Sequence, residues 1–319
     1  MRLQEGCQMR FTCCGKWSSW RWCTSTVRTL SSNNALKPLV PTLYAALVFL
    51  YGSADKLRWF VAGIFLPQYH YPYVAALCFG QVLVSVFFFN LLHVLGVAPL
   101  RRYSRPLAER LLVPSISSSV HDVLVMWGEA SSSYAGLFPL ALRPLSLVTV
   151  GLSFALKVSA PPSGHTCVLV AILTGSSLVF TAWRGLSVVE PLEYMYAPLA
   201  VILLGLSLTW LSKVSHAERR RLPADDQPSA LDIYYTLLVN QCWLLGLLWT
   251  LHPDGPLLAL SRASWRSLLF HGYLLAILLL GMLLDFAVVM SALCISPLAA
   301  ALLHSARELA HPFAQLLWP

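Results

Sequence analysis

Four bases stand alone at the ends or in the interior of long apolar runs: Lys56, Arg143, Lys213 and Arg307. Isolated bases in such places suit an anionic solute, because the planar guanidinium of arginine grips phosphate through two parallel N–H···O bonds. The plainer reading of Lys56 and Lys213 is a long side chain reaching out to the membrane surface. For Arg143 and Arg307 it is an internal ion pair, with Asp285 or Glu308 the obvious partner of Arg307. Tyr234, Tyr235 and Thr236 open a further apolar run, and Asn240 and Gln241 lie deeper in it. Aromatic rings and amides suit a nucleobase and a sugar, although an interfacial aromatic belt has the same composition.

Signs of catalysis are missing. There is no Gly-rich phosphate loop, no GxSxG and no HExxH. His121 and Asp122 are adjacent, so on a helix they point roughly 100° apart, and a polar packing face is the favoured reading. An integral-membrane enzyme is the rival class, but it needs clustered His or Asp near a membrane surface. The eight cysteines form no CxxC pair and match no zinc module. Neither a metal, nor a cofactor, nor enzymatic activity is expected.

The elements that must carry these residues are membrane spans. Of the 319 residues 57% are hydrophobic and only 11% charged, against about 25% charged in soluble chains. A span needs about 20 apolar residues. The pattern predicts nine, over residues 38–55, 72–97, 111–128, 134–156, 165–183, 191–212 and 233–251, followed by a hairpin from Ser267 that turns at Cys294–Pro297. The first ends at Asp55-Lys56, although residues 60–66 are apolar again. The hairpin carries Asp285 in its first arm and Arg307 in its second, and a charge at membrane depth usually faces a bundle interior or a pathway. Residues 1–37 form a polar tail expected to be disordered, with an Arg- and Ser-rich organellar transit peptide as the alternative. Residues 38–319 form the membrane domain. The formal net charge of +8 does not mark a nucleic-acid binder, because the bases sit in short loops. With nine spans and a cytosolic N-terminus, fifteen Lys and Arg fall on the cytosolic side and five opposite, with Arg143 and Arg307 inside spans. That asymmetry obeys the positive-inside rule.

From about Pro38 onward the chain resembles the nucleotide-sugar transporter and triose-phosphate translocator family, within the drug/metabolite transporter superfamily. LFPLALRPLSLVTVGLSFALKV resembles the family's fourth helix, with Arg143 on its basic position. LSVVEPLEYMYAPLAVILLGLSLTWLSKV resembles its sixth, closed by Lys213. LDIYYTLLVNQ resembles the seventh-helix motif of two aromatics and an Asn, with Thr236 in place of the Asn. SPLAAALLHSARELA resembles the ninth-helix motif, with His304 for its Gly, Arg307 for its Lys and Glu308 for its Asn. Lys56 falls on the Lys that closes the family's first helix, and the chain stops at Pro319 where the family has a tenth helix.

The resemblance implies an all-α inverted-repeat bundle around a midplane site. It implies an antiporter that moves a nucleotide-sugar into the Golgi or endoplasmic-reticulum lumen against a nucleoside monophosphate, with a homodimer as the oligomer to consider. Arg307, Lys213, Arg143 and Lys56 would face phosphate, and Tyr234, Tyr235 and Thr236 would line the base or sugar. The alternatives are a non-transporting or regulatory member of the same fold, and a plastid-type sugar-phosphate/phosphate antiporter.

Overall fold

The computed structural model describes residues 39–69, 74–101, 103–131, 142–158, 162–184, 193–221, 227–251, 265 and 267–305. The chain divides into Met1–Leu43 and Tyr44–Pro319. Of the first unit only residues 39–43 are described, as the opening of a helix. The described residues are helical and contain no strand.

In order the helices are α1 (Leu39–Tyr69), α2 (Val74–Val94), α3 (Arg105–Arg110), α4 (Leu112–Ser131), α5 (Leu145–Ala155), α6 (Gly164–Arg184), α7 (Glu193–Arg221), α8 (Ala230–Leu251) and α9 (Leu268–Cys294). A last helix, α10, covers residues 297–305. Four of them, α2, α7 from Met195, α8 and α9, are long and apolar enough to cross a membrane. α5 and part of α6 are shorter apolar helices. Of the expected fourth span, 134–156, the described part holds the 11-residue helix α5 after a turn at residues 143–144, and residues 132–141 lie outside the described set.

Local chemistry explains where the helices stop. α2 ends in a Schellman motif: Gly96 takes φ +72°, Val97 N–H donates to the Leu92 carbonyl and Gly96 N–H to that of His93. A left-handed residue at this position favours glycine, which has no Cβ to clash. α5 ends in the same way with Lys157 at φ 51°. Ser267 caps α9 by accepting from Phe270 N–H. Ser296 accepts from Ala299 N–H at 3.0 Å, and Pro297 occupies the first turn of α10, where its missing N–H is harmless. The predicted turn at Cys294–Pro297 is therefore present.

α1 corrects the sequence reading. It runs unbroken through Asp55 and Lys56 to Tyr69, so Lys56 closes no helix and Arg58 lies in no far-side loop. Charged side chains do not terminate a helix; a terminus needs a cap or a breaker. Residues 55–58 therefore sit in the middle of a helix that is about 46 Å long at 1.5 Å per residue.

α4 packs chiefly on α7, α8 on α2 and α4, α5 on α7, and α9 on α2. Where α5 meets α7, a Cβ on Gly205 would come within 3.1 Å of Val148 Cγ1 and 3.2 Å of Leu152 Cδ1, so the small residue sets the approach of the two helices, as small residues do between membrane helices. Large apolar side chains point outward, among them Phe49, Phe87, Trp243 and Leu268. On a soluble protein such a surface marks an interaction site; on these helices it suits lipid.

One end of the bundle gathers the basic connectors. Arg101 N–H donates to Asp232 Oδ1 at 2.8 Å, and Asp232 also accepts from Ser229 N–H and Oγ–H at the start of α8. Arg110 pairs with Glu218 near the end of α7. Asn240 Nδ2 donates to the Ala108 carbonyl at 2.9 Å. The described parts of these connectors, 98–101 and 103–110 with 214–221 and 227–230, thus meet at a single end, and the positive-inside rule predicts that end to be cytosolic. Cysteines placed at exposed Ser104 and Arg221 are expected to react with a membrane-impermeant thiol reagent from the same, cytosolic, side. Labelling of the two from opposite sides would contradict this packing.

Candidate solute site inside the bundle

Polar side chains from five helices converge inside the bundle. From α1 come Asp55 and Arg58, from α4 His121 and Asp122, from α8 Tyr234, from α9 Asp285 and from α10 His304. Arg58, Asp122 and Asp285 each fall in the middle third of their helices. Tyr234 is fully buried, and its hydroxyl donates to Asp285 Oδ2 at 3.0 Å. Asp122 lies within electrostatic range of Asp285 and of Arg58, and Arg58 acts on Asp285 as well. Arg58 also donates from Nη2 to Met126 Sδ at 3.3 Å, which turns it toward α4. His304 feels both Asp55 and Arg58.

His121 and Asp122 do diverge, as their spacing requires. The His121 ring donates from Nδ1 to the Ala200 carbonyl of α7 at 2.8 Å, and stands edge-on to His304 with centroids 6.1 Å apart. Asp122 has Asp285 of α9 and Arg58 of α1 as its charged neighbours. One turn along α4, Ser118 Oγ accepts from Gln241 Nε2 at 2.7 Å. Ser119 Oγ, Gln241 Oε1 and His304 Nδ1 make no hydrogen bond within the protein. Ser119 and Gln241 are buried, and Ser119 precedes Asp122 by three residues, so the two share a helix face. A Cβ on Gly281 would collide with the Gln81 carboxamide; glycine there gives that amide its place on α9, one turn before Asp285.

The residues singled out from the sequence are distributed differently from the expectation. Tyr234 belongs to the cluster. Thr236 is buried, but its hydroxyl bonds back to the Asp232 carbonyl at 2.7 Å. Tyr235 donates to Asn90 Oδ1 at 3.1 Å on an exposed face. Arg143 is buried and donates from Nη1 to the Ser177 carbonyl at 2.8 Å and to Ser177 Oγ at 2.9 Å, tying the start of α5 to α6. Lys213 is exposed near the end of α7, 5.5 Å from the centroid of the Trp210 ring. Lys56 is exposed midway along α1. Arg307 and Glu308 lie outside the described residues; Tyr234 and Arg58 are what the structure sets against Asp285.

Sequence reasoning passed over Arg58, His304 and the interior role of Asp122. Arg58 was legible from the absence of any breaker between Asp55 and the apolar residues 60–66, which makes one helix of the two halves. The Ser115–Ser119 run with His121 and Asp122 marked a polar stripe in a span, but what it faces requires the packing of α9 and α10. Among the described residues no group of His, Cys, Asp and Glu is arranged to hold a metal ion.

Comparison with models of known protein families and with curated proteins finds no match.

Proposed function

We propose that the chain is a multi-pass membrane carrier of a polar solute, and that the solute is a nucleotide-sugar exchanged for a nucleoside monophosphate. The observation that carries the reading is the cluster of Arg58, Asp122, Tyr234, Asp285 and His304 in the interior of helices whose outer faces are apolar. Ionisable groups at membrane depth are costly, and they mark solute and ion pathways. The nucleotide-sugar class is supported by the resemblance to the nucleotide-sugar transporters and by Tyr234 and Arg58, an aromatic ring and a guanidinium suited to a base and a phosphate. Alternating access around this cluster is the mechanism such a carrier would use. The reading places the protein in Golgi or endoplasmic-reticulum membrane. Imaging of a full-length fluorescent fusion checks this, and a plastid signal would favour the sugar-phosphate antiporter.

The test of function is counterflow. Proteoliposomes preloaded with UMP, GMP or CMP are offered the matching radiolabelled nucleotide-sugars. Accelerated uptake of at least one is expected, weakened in Arg307→Lys, which keeps the charge and loses the bidentate fork. A non-transporting member of the same fold is the second reading. It is favoured by Arg143 and Tyr234 both bonding to the protein itself. Folded wild-type protein that exchanges none of the panel would establish it over the carrier.

A further inference from the structure

Among the described residues the interior cluster holds more acid than base. Asp55, Asp122 and Asp285 stand against the one guanidinium of Arg58. The remaining titratable members are His121, His304 and Tyr234. The described residues of the neighbouring helices do not redress the balance. α2 carries no Asp, Glu, Lys or Arg, nor does α5. Lys213, Glu218 and Arg219–Arg221 lie toward the C-terminal end of α7. On α8, Asp232 is held by Ser229 and Arg101, and Arg143 is turned to Ser177. Like charges in a low-dielectric interior repel strongly, and an anionic phosphate placed beside Arg58 adds to that repulsion.

Protons resolve the conflict. We infer that Asp122 and Asp285 form a proton-binding site coupled to the solute: the pair holds one proton in the empty cluster, takes up a second as the anionic group arrives at Arg58, and releases it as the anion leaves. The nature of the anion rests on the carrier reading above; the proton site rests on the cluster itself. The step is a proton transfer: an O–H bond of a hydronium breaks as one forms on a carboxylate oxygen, and the reverse returns the proton to water, with no change of oxidation state. A second observation points to a guest. Ser119 Oγ and Gln241 Oε1 are buried without a hydrogen-bond partner in the protein, one beside Asp122 on its helix face and the other bonded through its amide to Ser118, one turn away. A buried polar atom left unsatisfied is costly, and a hydrogen-bonding guest beside the carboxylates removes that cost.

Two measurements test this separately from the carrier reading. Infrared spectra of the purified wild type at neutral pH are expected to show the carbonyl stretch of a protonated buried carboxyl group, lost in the Asp122→Asn/Asp285→Asn variant, whose folding is checked by thermal melting. Absence of the band from the wild type would overturn the proton site, whatever the protein transports. In proteoliposomes preloaded with UMP, an imposed pH gradient is expected to change the initial rate of UDP-sugar counterflow severalfold in the wild type and to leave the double variant's rate indifferent to the gradient. Wild-type exchange at one rate under every gradient would overturn the coupling and leave the carrier reading standing. A wild type that shows the carboxyl band but moves no nucleotide would support the proton site and defeat the nucleotide reading.

Discussion

Arg58→Leu is expected to lower the stability of the folded bundle by up to about 3–5 kcal/mol, the loss seen when one partner is removed from a buried charge group. Among the described residues, Arg58 is the guanidinium whose field reaches Asp122, Asp285 and His304 together. Without it, two carboxylates from different helices lie within electrostatic range with no guanidinium beside them, and protonating or parting them costs the bundle stability. Arg58→Lys keeps the charge and should retain most of the stability. Arg58→Leu combined with Asp122→Asn and Asp285→Asn should recover part of it, because of the interior acids only Asp55 then keeps its charge. Thermal unfolding in detergent micelles reads all three variants. Unchanged melting of Arg58→Leu would show that the guanidinium does not neutralise the interior.

Arg143→Leu is the second large effect. The guanidinium makes two hydrogen bonds to Ser177, through its carbonyl and its hydroxyl, and the side chain is only 6% exposed. Hydrogen bonds to a charged group contribute about 1.5–3 kcal/mol each, partly offset by the desolvation of the buried charge. A loss within that single-bond range is therefore expected, with transport falling only in proportion to the folded protein. Arg143→Lys should restore part of the loss, since both bonds leave from Nη1 alone and an ammonium also carries several donors on one nitrogen. Normal melting together with lost uptake would return Arg143 to the solute-contact role that its position in the fourth apolar run first indicated.

The contrast between Arg143 and Arg58 shows what was readable in the chain. The apolar runs translate directly into helices where length and composition agree: α2, α6, α7, α8 and α9 lie within a few residues of the expected spans, apart from the C-terminal end of α7, which extends through Arg221. Caps are local chemistry, so the turn before Pro297 was legible as well. The first run was cut short because Asp55 and Lys56 look like a loop, whereas backbone hydrogen bonding carries the helix past them to Tyr69. The site was harder. An isolated base in an apolar run signals that something neutralises it, but not whether that is a neighbouring helix or a solute. Arg143 meets Ser177, 34 residues away; Tyr234 meets Asp285, 51 residues away. Such partners are set by helix packing across the bundle and leave no mark on either segment.

A carrier site must meet water from one side or the other, whereas a structural polar core need not. Ser119 measures the difference, since it is 4% exposed here, its hydroxyl has no partner in the protein, and it shares a helix face with Asp122. In a background stripped of reactive native thiols, the Ser119→Cys variant is treated in proteoliposomes with a small water-soluble thiol reagent. Exposed Ser104→Cys serves as the positive control and the lipid-facing Trp243→Cys as the negative one. The expected result is slow but complete labelling of the Ser119→Cys thiol, as the bundle opens, with protection by saturating nucleotide. A thiol that stays inert while Ser104→Cys reacts fully would contradict the claim that this cluster lies on a solute pathway.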